Sequence, residues 1–586
     1  MARAISRSDL AGASPVFYLA VTWGGREYRF SSLPITVTKN DGSTLAYDGG
    51  LPDPDYETSL DMLEGNPEGG AIPVEVVFPL DLIEQLMKYG RSLDSAVGEL
   101  GMYTERGGAI VQTYEDRIRL FSGSVMDPII GDPDRPIGYV TFSIERRPDL
   151  APDLIVAPKT VITRAEFALT DGALLAVKAV TNSIGKNWPV VIGAPGAGTE
   201  QPGIAGGVNS YDQPGSPAYF IKCTKGTDAH NQDTVVELLI AAGDVVALTV
   251  GIRDYTGRTA TGLAVSAVQL ADGREYSKIS FSYTADGLFH PWLKVIAGLS
   301  IKPEFAIAET DDPKYWVIWD DGGGMINPYG SGAITGAGDL LRFGLETTNV
   351  DIDQQSWSNV SGFLNRYRFA GFVIDGDVSW WDWIQDNLLP WIPLHVVNGP
   401  DGLRAVLPLL YMANYALPRV TATTGPGFAV VSALEPLNEI SDLLNELRIA
   451  YAFEPQGENL SNRLDVQGYD SLQNSAFEYS TEIATISRNR YGRRSKEVEI
   501  PHLYKLHTAA MIADYLIARD ALIVRDLIIE ADPEWGWLQP GDVVALTSTE
   551  YFLAGHRVQL LSKAWTGESW NFRFLLADNP ALNTRI

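Results

Sequence analysis

Six histidines could ligate a transition metal: His230, His290, His395, His502, His507 and His556. The closest pair, His502 and His507, is five residues apart, so the two rings fall on different faces of a helix, and no HExxH occurs. Isolated surface or core histidines are the simpler reading. The run GAPGAGT (193–199) suggests a phosphate loop. It lacks the lysine that should follow the last glycine and a strong helix to supply N–H groups, so it reads as a flexible loop. Carboxylates cluster at Asp311-Asp312, Asp320-Asp321, Asp351/Asp353 and Asp375/Asp377. Paired carboxylates can cleave glycosides or hold calcium. None of these clusters fits a twelve-residue calcium loop, and DGGGMINPYG (321–330) is more simply a turn after a strand.

The nucleophile motif GxSxG is missing. Cys223, the sole cysteine, lies in YFIKCTKG and reads as a small side chain buried in a strand. Trp380, Trp381 and Trp383 could stack on a sugar, but at that spacing on a helix two of the three should pack inward. No catalytic, cofactor-binding or metal-ligating residue is assigned. No cofactor is expected, and the chain is expected not to be an enzyme.

The elements that would position any such groups are mostly strands. VFYLAVTW (16–23) and REYRF (26–30) flank Gly24-Gly25, a hairpin with a two-residue loop. VEVVF (74–78), RIRLFSGSV (117–125) and GYVTFSIER (138–146) are further strands, the last with Val140, Phe142 and Ile144 on one face. LDLIEQLMKYG (80–90) has helical spacing. DPIIGDPDRP (127–136) reads as a loop and RPDLAPDLIVAP (147–158) as a linker. Strands resume in 233–252, and AVSAVQL-ADGR-EYSKISFSY (264–283) is a second hairpin.

Helices enter later. GDLLRFGLETT (338–348) is helical, and Ser379 can cap WWDWIQDNLL (380–389), which stops before Pro390. EPLNEISDLLNEL (435–447) is expected to be a helix running into the strand RIAYAFEP (448–455). Residues 505–520 form a helix with Ala509, Ile512 and Leu516 on one face. DVVALTS (542–548) follows Gln539-Pro540-Gly541, and RVQLLSKAW-TGE-SWNFRFLL (557–576) closes the chain as a hairpin.

This pattern predicts an α+β, mostly antiparallel β, multidomain chain. The expected units are a β-domain with one helix (1–150), an inserted β-sandwich or β-barrel (151–330), an α+β domain (331–440), and an α+β domain ending in a hairpin (441–586). The length of 586 residues allows three or four domains, and apolar and charged shares of 45% and 20% exclude a disordered chain. With 73 acidic against 45 basic side chains, the net charge of −28 disfavours wrapping DNA or docking on anionic lipid. One cysteine excludes a disulfide scaffold and a cysteine-rich zinc site. No apolar run has the length of a signal h-region near the start or of a membrane span elsewhere, so a soluble chain made in a reducing compartment is expected.

GDLLRFGLETTNVDID (338–353) followed by YRFAGFVIDGDVSWWDWIQDNLLPWIPLHVVNGPDGLRAVLPL (367–409), with two strands around Asn398-Gly399, resembles the central part of tailed-bacteriophage tail hub proteins. Arg490-Tyr491-Gly492, Thr508-Ala509-Ala510, Leu538-Gln539-Pro540-Gly541-Asp542 and the terminal hairpin with Trp570 are similar to the closing domain of that class. The resemblance covers 338–586 and, more loosely, 1–150; no single motif is diagnostic, and their order and spacing carry it.

The resemblance implies tail-tube-like β-barrel domains with interspersed helices, in a homotrimer that caps the tail tube. It implies a structural baseplate hub or tail tip of a siphophage virion, made in the host cytoplasm. Its partners would be the tail tube protein, the distal tail protein and tip or fibre proteins. It would form part of the channel for DNA ejection during host cell entry, the genome passing a lumen lined by Asp and Glu without specific binding and with no membrane insertion by this chain. The alternatives are a receptor- or glycan-binding tail-tip protein and a virion glycosidase. Residues 151–330 are expected on the outer side of the hub, in contact with neighbouring tip proteins rather than a cell-surface glycan.

Overall fold

Gly24 and Gly25 take φ of +59° and +78°, the left-handed values that a two-residue hairpin loop demands and glycine adopts without steric cost. They join β1 (Ser14–Trp23) to β2 (Arg26–Ser31), with Trp23 opposite Arg26. The computed structural model describes residues 14–59, 71–89, 93, 96–130, 138–146, 327–330, 334–347, 351–369, 371–374, 378–409, 418–454, 459–467, 478–480, 482–503 and 505–577, with the backbone of separate strands between 190 and 318.

The first sheet adds β3 (Ile35–Thr38) and β4 (Thr44–Gly49), then, past β5 (Glu57–Ser59), β6 (Ala71–Val77). Helix α1 (Leu80–Tyr89) precedes β7 (Val97–Arg106), β8 (Ala109–Ile110), β9 (Ile118–Ile130) and β10 (Tyr139–Glu145). The strand order is β3-β4-β2-β1-β7-β9-β10-β6, with β8 on β7. Val140, Phe142 and Ile144 are buried on one face of β10, as their alternation predicts.

Of the segment 127–136, expected as a loop, residues 127–130 instead continue β9, and 131–136 lie outside the described residues. Asp127 takes φ +49° beside a register shift between Thr141 and Ser143. The extra residue is absorbed as a bulge, where Pro128 loses nothing by having no N–H to donate.

Between the two halves run β11 (Val190–Gly193), β12 (Phe220–Thr227), β13 (Asp233–Ile240), β14 (Arg258–Gln269) and β15 (Glu275–Ala285). Then come β16 (Leu293–Val295), β17 (Leu299–Glu304) and β18 (Lys314–Ile318). They form the sheets β12-β13-β15-β14 and β16-β17-β18, and the expected hairpin at 264–283 is the antiparallel pair β14–β15.

Helices α2 (Ala337–Thr347), α3 (Gln354–Leu364) and α4 (Trp380–Asn387) follow, with β19 (Gly371–Ile374) before α4; β19 pairs with β11. Ser379 caps α4, its Oγ accepting the Asp382 N–H at 3.1 Å, and Pro390 sits in the 3₁₀ turn Leu389–Trp391 that ends it. The hairpin β20 (His395–Gly399) and β21 (Gly402–Val406) turns at Pro400-Asp401. Asn398 and Gly399, expected at its centre, pair across it with Leu403 and Gly402.

The last strands are β22 (Val420–Thr423), β23 (Phe428–Pro436), β24 (Glu446–Glu454), β25 (Asn459–Gln467) and β26 (Glu478–Ser480). After α5 (Glu482–Tyr491) come β27 (Ser495–Ile500), α6 (Leu506–Asp520), β28 (Val524–Ala531), β29 (Val543–Ser548), β30 (Leu553–Trp565) and β31 (Trp570–Ala577). Residues 435–447 are not the expected helix. β23 runs to Pro436, one 3₁₀ turn spans Ile440–Asp442, and β24 starts at Glu446. Asn438 donates to Leu522 O at 3.1 Å and accepts the Val524 N–H at 3.0 Å, and the Leu444 N–H reaches Asp520 O at 2.9 Å. These bonds to 520–524 outweigh the helical spacing of Leu437, Ile440, Leu444 and Leu447.

The fold is α+β and mostly antiparallel β. The sheet β22-β29-β30-β31-β28-β23 takes in β5 from the N-terminal segment, which pairs with β30. One core therefore joins residues between 17 and 144 to residues between 422 and 574. A second core joins α2, α3, α4 and the β20–β21 hairpin to β24, β27 and α6.

Candidate functional site

The segment Leu538–Asp542 lies where the two cores meet. Gly541 has φ +87°, and a Cβ there would sit 2.6 Å from both methyls of Val406 in β21. Only glycine fits that turn. Asp542 is buried. Its Oδ1 accepts from Arg404 Nη2 at 2.7 Å, and its Oδ2 accepts from Arg419 Nη1 at 2.6 Å and from the Gln539 N–H at 3.0 Å. Gln559, buried in β30, accepts the Leu409 N–H at 3.0 Å and donates to Leu407 O and Gly541 O at 3.2 and 3.1 Å. The base of the β20–β21 hairpin is thus bonded to the C-terminal sheet.

Its tip is bonded to the N-terminal sheet. Arg146, buried at the end of β10, donates to Gly399 O and, at 2.6 Å, to Ser122 Oγ. Ser122 Oγ donates to Pro400 O at 2.9 Å, and Arg119 pairs with Asp401. Burial pushes the Arg146 guanidinium down to about 10, while the carboxylates of Asp351 and Asp401 favour its charged form. A buried cation with several acceptors is costly to strip of them, so the hairpin is held at both ends.

Lys563 joins the sheets from inside. It is fully buried and donates to Gly536 O and, at 3.0 Å, to Leu538 O. Its Nζ stands 4.5 Å from the centroid of the Trp570 ring and 5.4 Å from that of Tyr56. Burial pushes its pKa down to about 7, while the carbonyls and ring faces hold the ammonium. Trp570 also meets Trp565 at 5.0 Å and Tyr56 at 5.9 Å. In the second core, buried Asn445 donates to Ser487 Oγ at 3.0 Å and Gly492 O at 2.8 Å, and accepts the Arg494 N–H at 2.8 Å. It thereby fixes the end of α5. Thr508 Oγ1, in α6, reaches Arg368 O at 3.2 Å.

The groups singled out for chemistry do not converge. Among the described residues no three His, Cys, Asp or Glu side chains gather to hold a metal. His395 is buried in β20, and His507 is exposed on α6. Burial pushes His502 down to about 4. His556 accepts the Ala554 N–H at 2.9 Å. Asp353 caps α3 through the N–H groups of Gln355 and Ser356, and Asp351 accepts the Leu403 N–H through its carbonyl. Cys223 lies in β12 and Gly193 ends β11. His230, His290, residues 194–199, and the pairs Asp311-Asp312, Asp320-Asp321 and Asp375/Asp377 lie outside the described residues. Trp380, Trp381 and Trp383 are all buried, one more than the spacing predicts, which leaves no ring face for a sugar. Among the described residues no helix is long and apolar enough to cross a membrane.

Sequence reasoning missed Lys563, Arg146 and Gln559. For Lys563 a signal existed: it shares a period-two face with the apolar Leu561 and Trp565. Arg146 and Gln559 carry no comparable mark.

No family profile and no curated protein matches the chain. Among solved structures it is similar to the tail protein from Neisseria meningitidis MC58 at 9% identity and TM-score 0.35, over 97% of this chain and 98% of that one. It is also similar to the prophage tail protein gp18 from Listeria monocytogenes EGD-e (9% identity, TM-score 0.23, 59% of this chain and 84% of that one). A chain of the native gene transfer agent particle virion matches at 11% identity and TM-score 0.19, over 48% of this chain and 84% of that one. Scores of this size do not establish a common fold.

Proposed function

We infer that the chain is a structural protein of a phage tail, and specifically the hub that joins the tail tube to the tip proteins. One observation carries the reading. Several residues within the stretches on which the hub resemblance rests bond distant elements to one another: Asp542 to Arg404, Gly541 to Gln559, Leu538 to Lys563, Thr508 to Arg368 and Gly492 to Asn445. These bonds support reading the order of the motifs as that of one scaffold. Two large sheets sharing a core supply the material for the tube-like β-domains that a trimer needs to face a hexameric tube.

The excess of acidic side chains suits a channel past which DNA slides, because a basic wall would bind duplex by releasing counterions. No catalytic step belongs to this function. Residues 151–330 would stand outward as an inserted unit touching tip proteins. Cryo-electron microscopy of virions carrying the tagged chain tests the reading: three copies around the tail axis at the tube end are expected. A lone appendage off the axis, or a channel wall dominated by Lys and Arg, would overturn it.

A further inference from the structure

A cleft of about 550 Å³ lies between α4 with its following turn, β27 and α6, a size at which proteins hold small molecules. Part of its lining is apolar. Leu444 and Leu516 are buried, and Val498 and Trp391 pack on the same core while staying half-buried. Trp391 ends the 3₁₀ turn after α4. Trp380, Trp381 and Trp383 are buried, whereas Trp391 keeps part of its surface open at the cleft.

The rest of the lining is polar and carries both signs. Arg519 and Asp520 close on each other in a bidentate pair at 2.7 and 2.8 Å, which occupies both charges. Gln385 and Asp386 come from α4, and Lys496 and Glu499 from β27. These side chains have no hydrogen bond or ion pair to another described residue. Two carboxylates against one ammonium disfavour a phosphate or any other anion. Donors and acceptors stand side by side, and a ligand that displaces their water must match both. Hydroxyl groups do so, because each donates and accepts. The tryptophan and the apolar lining require a C–H face on the same ligand. A pyranose ring has both features, a flat C–H face and a rim of hydroxyls.

We propose that this cleft binds a neutral saccharide of one or two rings, stacked on Trp391 and hydrogen-bonded by Gln385, Asp386, Lys496 and Glu499. The site goes beyond the hub reading and does not depend on it. In a phage tail it would add a contact with cell-surface carbohydrate.

Saturation-transfer NMR and calorimetric titration of the full chain with maltose, cellobiose, lactose and N,N′-diacetylchitobiose test the site. At least one of these sugars should bind. Asp386→Ala and Glu499→Ala, both at exposed positions, should each weaken that binding several-fold with an unchanged circular dichroism spectrum. Trp391→Ala should weaken it by about tenfold or more, and Trp391→Phe, which keeps an aromatic face, by less. If Trp391→Ala fails to fold, the carboxylate variants and Trp391→Phe decide. No binding of any of these sugars at about 50 mM, or binding that survives the double variant Asp386→Ala/Glu499→Ala, would overturn the proposal. So would preferential binding of inorganic phosphate or spermidine that the same substitutions abolish, since the cleft would then take an ion. Absence of the chain from the tail axis would remove the hub reading and leave the saccharide site standing.

Discussion

Lys563 places its amine inside a protein core, and the consequence is a pH dependence of known sign. Its folded pKa of about 7 lies below the ordinary 10.5. Between these values the unfolded chain binds more protons than the folded one, so stability rises with pH across that window. The contribution is fully present above the unfolded pKa and is lost as pH falls through the folded one. Buried Tyr18, Tyr56 and Tyr103, all pushed up mainly by burial, act oppositely only where free phenols ionise, near pH 10. Unfolding by denaturant between pH 7 and 9.5 should therefore show wild type gaining stability relative to Lys563→Met, whose profile should be flatter. Parallel profiles would show that the side chain does not titrate there. At Gly541 the effect is steric. Gly541→Ala forces a Cβ into positive φ and against Val406, and should cost about 2–4 kcal/mol in chemical denaturation. A loss under 1 kcal/mol would mean that the corner relaxes freely.

Among the elements, α4 shows how local rules and packing combine. Ser379 satisfies an orphan N–H, Pro390 stops the helix, and its three tryptophans enter the core, where Trp380 meets Phe343 edge-on at 5.7 Å. Ser379→Ala removes only the cap and should cost about 1 kcal/mol, read as a lower thermal midpoint with the helix otherwise kept. No shift in the midpoint would mean that packing alone sets the helix start. Residues 435–447 show the reverse. Their leucines are spaced for a helix, yet a strand, a 3₁₀ turn and another strand form, because Asn438 and Leu444 bond to 520–524. Residues 127–130, expected in a loop, are likewise strand past the bulge at Asp127, because the partner strand β10 fixes the register.

In the whole molecule, the β20–β21 hairpin ties the two cores together, with Arg146 at its tip and Asp542 at its base. Calorimetry of the wild type should show the two cores melting together. Arg146→Met removes the tip contacts to Gly399 and Ser122 while keeping the side chain's apolar length. It should split the transition or broaden it markedly, with the lower step shifted down by the several degrees that a loss of about 2–3 kcal/mol implies. A single unshifted transition would show that the joint does not couple the cores.

The sequence by itself determined the local geometry. Gly24-Gly25 required a tight hairpin, Ser379 and Pro390 bounded α4, and the alternation of Trp570, Phe572 and Phe574 named the buried face of the last strand. These follow from backbone sterics, caps and period, which act over a few residues. Only the tertiary structure decided which distant segments share a core: that β5 pairs with β30, some five hundred positions on, that Arg146 reaches the tip of β20–β21, and that Lys563 is buried among carbonyls and rings. Such contacts are selected by mutual burial and hydrogen-bond satisfaction across the folded chain, and neither leaves a periodic mark on the segments it joins.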